Sequence, residues 1–303
     1  MQEILKNKYI RRLFWIITIS FLIILFFLRF YVFNDLTENS TEINLFLADL
    51  CEDLIASLIT TVAIGSFIFY VAPKLDPKDG AEFIHSTDFE KYFTTVLKSK
   101  PDTWYFRGGF GRYLRSVVLP NLHEVAKDAT RVNITAQILN PKNERLCKLH
   151  AALRNTVKNA DNKTDWDLDE VKINLYATIV SCAIYESMNS YLNISVYLID
   201  FFSSDRVDIS TNSGIITKDD QKAPGLKFNK SSIHYKTYMA DLHVTQQQAI
   251  DVVNKLSVVR KIGEVSADNA KEVLEELGFN ETFNLDQFQK IANLVNEQKN
   301  PYA

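Results

Sequence analysis

The chain has 303 residues, 34 Lys and Arg against 37 Asp and Glu, and 47% hydrophobic residues. That length suits one medium domain with added segments, and a net charge of −3 excludes a bulk basic field for nucleic acid, so any anion site must be local. Three widely separated cysteines, Cys51, Cys147 and Cys182, and five histidines at no ligand spacing predict small buried thiols, with no disulfide framework, metal or cofactor.

In chain order, the first predicted element is an apolar run over 13–33, uncharged until Arg29. Its length matches the hydrocarbon core of a bilayer, and Arg29 can snorkel to the interface. A second uncharged run covers 54–72 and stops at Pro73. The first run is too long for a signal peptide, lacks an A-x-A site, and is soon followed by the second, so the pair predicts a transmembrane hairpin over 1–73. Lys6, Lys8, Arg11 and Arg12 precede it, Lys74 and Lys78 follow it, and the connecting loop 34–42 carries no Lys or Arg. The positive-inside rule then places both termini, and residues 74–303, in the cytoplasm.

Along the second span, Asp53, Ser57, Thr61 and Gly65 recur every four residues, continuing from Asp49. Small residues at that spacing permit close backbone approach, and the stripe drifts about 40° per step, which suits a right-handed crossing. Three uses remain open: packing against the first span, a seam between protomers in a homo-oligomer, or a pore wall with acids at its outer mouth.

Residues 74–100 read as a Pro/Gly/charge-rich linker and a helix over 86–99. An α/β cytoplasmic domain is expected over 101–244, with a mixed, partly parallel sheet. Its elements are a strand at 102–106, a helix over 110–128, a strand at 131–139 ended by Asn140-Pro141, helices over 142–158 and 165–190, a strand at 192–200, and a hairpin around Asn212-Ser213-Gly214. The acidic cluster Asp165, Asp167, Asp169 and Glu170 is expected to start the long helix, where carboxylates favour the dipole. From 245 to 303 the chain reads as helical, either a separate unit or a layer on the sheet.

Between the first strand and its helix lie Arg107, Gly108, Gly109, Gly111, Arg112 and Arg115. Glycines let a backbone turn sharply and approach a ligand, a helix N-terminus offers free N–H groups, and arginine grips phosphate in a fork. The spacing is neither G-x-G-x-x-G nor a P-loop. It is either an anion or partner site or a tight turn whose arginines coat a surface. No catalytic motif is present.

The pattern Trp104-x-Phe106-x-Gly108-x-x-Gly111-Arg112-x-x-Arg115, then Pro120, Leu139-Asn140-Pro141 and Leu153-Arg154, resembles the cytoplasmic domain of two-transmembrane effectors encoded beside retron reverse transcriptases. The layout of two spans, short outer loop and cytoplasmic domain is similar as well. The resemblance implies a toxin of a bacterial anti-phage system, restrained by a reverse transcriptase with its RNA–DNA product and damaging the membrane on release. It implies no catalytic residue. The element order is also similar to a phospholipase D-type fold, but the H-x-K-x4-D motif of that family is missing. The alternative is a membrane-anchored enzyme or receptor for a nucleotide or phosphodiester; a membrane-tethered scaffold is a third reading.

Overall fold

The computed structural model describes residues 8–33, 42–71, 80–156, 165–218, 220, 222–252 and 255–300. They divide into two compact units, Met1–Leu75 and Asp76–Ala303. The predicted outer loop, apart from Glu42, and most of the predicted linker lie outside the described residues.

In the first unit, α1 (Lys8–Phe27) runs on through a π-helical stretch, Leu28–Val32, and α2 covers Glu42–Val71. Among the described residues one helix is long and apolar enough to cross a membrane, Arg12–Val32. Its side chains are almost all exposed. The predicted second span is helical through 54–71, with residue 72 outside the described residues. Its crossing of a membrane belongs to the proposal below.

The two helices meet through Leu25, Cys51 and Ile55, with Leu22, Leu28 and Phe33 packed around them. On α2 the covered positions are Ala48, Cys51 and Ile55, continued by half-buried Leu58 and Val62. Steps of three and four make the seam of a left-handed pair, not the four-residue stripe. Arg29 turns inward along this seam: its Nε and Nη2 lie 2.6 and 2.5 Å from Glu52 Oε1, tying the end of α1 to α2.

The second unit is built on one eight-stranded sheet in the order β1-β7-β6-β5-β2-β3-β4-β8. Its strands are β1 (Ala81–Ile84), β2 (Thr103–Gly108), β3 (Val132–Leu139), β4 (Leu192–Ile199), β5 (Asp205–Ser210), β6 (Ser213–Lys218), β7 (Gly225–Asn229) and β8 (Ile250–Val252). The centre, β2-β3-β4, is parallel, and antiparallel strands flank it on both sides. The mixed α/β sheet is therefore as expected, and so is the β5–β6 hairpin.

Crossovers between the parallel strands carry α4 (Leu119–Lys127), then α5 (Glu144–Thr156) and α6 (Leu168–Met188). With α3 (Phe89–Lys98) they cover the sheet face that holds Trp104 and Phe106. Helix α6 is buried almost all round, from Val171 to Tyr185, because the sheet lies on one side and α8 (Ala267–Glu276) and α9 (Leu285–Asn296) lie on the other. Asp167 caps α6, its side chain accepting from Glu170 N at 2.8 Å, so the acidic cluster starts that helix. Glu281 fastens the far layer: Tyr176 donates its hydroxyl to Glu281, and Lys172 Nζ lies 2.7 Å from its other oxygen.

The segment after 244 differs from the helical expectation at its start. Helix α7 (Ile233–Gln248) begins earlier and lies on the other sheet face, with Leu242 in a small core of Val207, Ile209, Ile216 and Phe228. Residues Ile250–Val252 then pair with β4 as an edge strand instead of extending a helix.

Candidate functional site

Strand β2 delivers its chain to the carboxyl edge of the three parallel strands, and the glycine turn follows at once. Gly111 has φ +69°, a left-handed conformation that disfavours a side chain. A Cβ on Gly109 would stand 2.7 and 2.8 Å from His150 Cε1 and Nε2, so the imidazole lies flat against bare backbone. A Cβ on Gly108 would meet Phe106 Cζ and Arg206 Cγ, both at 2.9 Å. Helix α6 holds the turn from beneath, Thr178 Oγ1 donating to Phe110 O at 2.6 Å. These close contacts account for the glycines without a ligand.

The arginines separate. Arg107 projects to the opposite sheet face, where its Nη1 is 2.6 Å from Asp241 Oδ2 on α7. Arg115 is buried and points into the domain, Nη1 donating to Asn174 O at 3.1 Å and Thr178 Oγ1 at 3.0 Å. Burial, with Arg112 nearby, lowers its pKa to about 10, which leaves it charged at neutral pH. Arg112 alone of the three stays beside the turn, 5.8 Å from the centroid of Trp166.

The structure adds residues that sequence reasoning did not place here. Arg154, from α5, lies 5.2 Å from the same Trp166 ring, which stacks on Phe110 at 4.8 Å. Two guanidiniums thus flank one indole beside the turn. Beneath them His150 is fully buried among Phe110, Phe202 and Gly109, and neither ring nitrogen has a hydrogen-bond partner. Burial first, then Arg154 and Arg112, push its pKa down to about 3, so the ring is neutral at physiological pH and adds no cation. Arg154 appeared in the sequence only as the end of a Leu-Arg pair, and Trp166 only beside an acidic run; no local signal joins them to the turn.

In the first unit, Asp53, Ser57 and Thr61 are exposed and Gly65 is half-exposed. Asp53, Ser57 and Thr61 face away from the seam with α1, Gly65 lies at its margin, and a Cβ on Gly65 would meet nothing within 4 Å. Packing within the chain is therefore not what the stripe serves among the described residues. Thr61 Oγ1 donates to Ser57 O at 2.8 Å, which satisfies the hydroxyl inside its own helix.

Around the hairpin, Asp208 is buried between Trp104 Nε1 at 3.3 Å and Arg206 Nε at 2.9 Å, and its pKa is raised by burial against the pull of Arg206. This is a braced core pair below the turn. All three cysteines are buried and free, and burial pushes the Cys147 and Cys182 thiols up to about 11 and about 12. Among the described residues no three His, Cys, Asp or Glu side chains are grouped to hold a metal.

No protein-family model matches the chain, and no curated protein sequence matches it. Among solved structures, the archaeal chromatin protein TrmBL2, described as showing a novel mode of DNA binding, is similar over 68% of this chain and 67% of that one. The identity is 8% and the TM-score 0.32, a likeness from which nothing about this chain's function follows.

The geometry makes one test decisive for the turn. Arg115→Ala leaves Asn174 and Thr178 short of a charged donor, and it is expected to cost about 2–3 kcal/mol of stability. Arg112→Ala, at a half-buried position, is expected to cost under about 1 kcal/mol. Thermal unfolding of the two purified variants checks this. Equal melting temperatures would show that Arg115 does not brace the core.

Proposed function

We propose that the chain is a membrane-embedded effector of bacterial anti-phage defence. Its transmembrane hairpins associate and damage the inner membrane once a restraining complex, a reverse transcriptase with its RNA–DNA product, lets go of the cytoplasmic α/β unit. One observation supports this above the rest: α2 packs on α1 through Cys51 and Ile55, while Asp49, Asp53, Ser57 and Thr61 are exposed on its other sides. Asp49 and Asp53 precede the proposed span at 54–72, at its outer mouth, and within the span Ser57 and Thr61 are small exposed residues along which the backbone of another protomer can approach closely. The identity of the restraining complex rests on the sequence resemblance.

The test is permeability. Cells overproducing the full chain take up a membrane-impermeant dye, and cells producing residues 80–303 alone do not. Toxicity of that fragment without its helices would sink the effector reading. A receptor for a phosphate-bearing ligand is the second reading, favoured by the two guanidiniums around Trp166. It predicts that Arg112→Ala with Arg154→Ala abolishes function while the dye assay with wild-type chain stays negative.

A further inference from the structure

Away from the glycine turn, a cavity of about 360 Å³ lies between α4, the last turns of α6 and two pieces of the C-terminal segment, Ile262 and Gln298. That volume falls in the range of small-ligand sites, about 300–1,000 Å³. Pro120, Met188 and Ile262 give it an apolar wall.

Its polar groups are neutral donors and acceptors on the walls and one ion pair at the rim. His123 is 6% exposed, and its Nδ1, which has no hydrogen-bond partner, is shielded behind the wall, so the ring contributes its face and edge and not that nitrogen. Burial, then Lys127, lower its pKa, so it lines the cavity as a neutral ring. The Tyr185 hydroxyl oxygen already accepts from Gln298 Nε2 at 3.1 Å, which leaves its own proton to give. Asn121 spends an amide proton on Val117 O at 2.8 Å. The carbonyl oxygens of Asn121 and Gln298 therefore retain acceptor capacity. Lys127 Nζ sits 2.6 Å from Glu124 Oε1, so the two charges at the rim cancel.

We propose that this cavity binds an uncharged, amino-bearing heterocycle of the nucleoside class. A phosphate would face the Glu124 carboxylate, and the lining lysine is already paired. An aliphatic amine would leave the Tyr185 proton unanswered. A base with an exocyclic amine and a ring nitrogen answers both sets: the amine donates to the amide oxygens, and the ring nitrogen accepts from Tyr185. Amide side chains read base edges in this way. The site is independent of the effector reading. It is completed by Ile262 and Gln298, so an occupant would also fix the C-terminal segment against α6.

The purified full chain in detergent is titrated with adenosine, cytidine, guanosine, uridine and adenosine 5′-monophosphate, read by calorimetry. At least one amino-bearing nucleoside is expected to bind, with uridine and the monophosphate about tenfold weaker or worse, the difference made by one or two hydrogen bonds. Tyr185→Phe keeps the ring and is expected to weaken binding about five- to tenfold. Asn121→Ala, at an exposed position, is expected to do the same without disturbing the fold. Absence of binding by every nucleoside overturns the proposal. So does equal binding of uridine or the monophosphate, or unchanged affinity in both variants.

Discussion

Gly109→Ala lowers the melting temperature of the α/β unit by roughly 5–10 °C, from about 2–3 kcal/mol of overpacking in a domain of this size. The new methyl arrives 2.7 Å from His150 Cε1. The imidazole has no room to yield: it is fully buried, with the Phe110 ring 4.5 Å away and the Phe202 ring 5.4 Å away. A double-mutant cycle assigns the cause. His150→Ala removes a ring whose nitrogens have no partners, so its own cost is that of a cavity. Combined with Gly109→Ala it should recover about 1–2 kcal/mol, because the methyl enters space the ring has left. Strict additivity of the two losses would mean that the glycine is required for something other than His150, and a ligand against the backbone would return as the explanation. Gly111→Ala is expected to be damaging for another reason, the φ of +69°.

How much of this was legible in the sequence follows from where the partners lie. The β2-β3-β4 core and its helices were, because strong apolar strands alternate with helix-period runs over short separations. So was the start of the long helix at the acidic cluster of 165–170, a local signal, although which carboxylate caps it was not. Strands β1 and β8 were not: AEFI and IDV are short and carry two exposed residues each. They are strands because β7 and β4 offer them edges far away in sequence. Helix α7 was missed since it buries only Leu242 and Thr245 and shows no apolar stripe. The arginines near the glycines could not be sorted from the chain alone. Arg115 looks like a phosphate ligand at a helix start, but its acceptors sit 59 and 63 residues on, and Arg107 finds Asp241 on the far face. The four-residue stripe was legible as residue types and misleading as a face. A helix turns 3.6 residues per turn, so the stripe wanders from opposite the seam at Asp53 to its margin at Gly65.

That wandering sharpens the last prediction, which concerns the membrane step. Ser57→Leu with Thr61→Leu is expected to lower dye uptake about tenfold, since the two leucines block close approach and remove hydroxyls whose interhelical hydrogen bonds are worth up to about 1–2 kcal/mol in lipid, and each 1.4 kcal/mol is tenfold in an equilibrium. Both positions are exposed on α2 and away from Cys51 and Ile55, so the bulk lands where another protomer would approach and spares the pairing with α1. Leucine is more apolar than either residue, so insertion persists and the amount in the membrane fraction is unchanged. Gly65→Leu should have a smaller effect than Thr61→Leu, because Gly65 has drifted toward the seam and its neighbourhood is open. Phe67→Leu, large, exposed and off the stripe, is the control and should change little. A graded loss of leakage from 57 to 65 supports association through the outward face. Full leakage in the Ser57–Thr61 double variant, at wild-type abundance, would show that this face does not meet another chain, and the damage would have to come from elsewhere in the molecule.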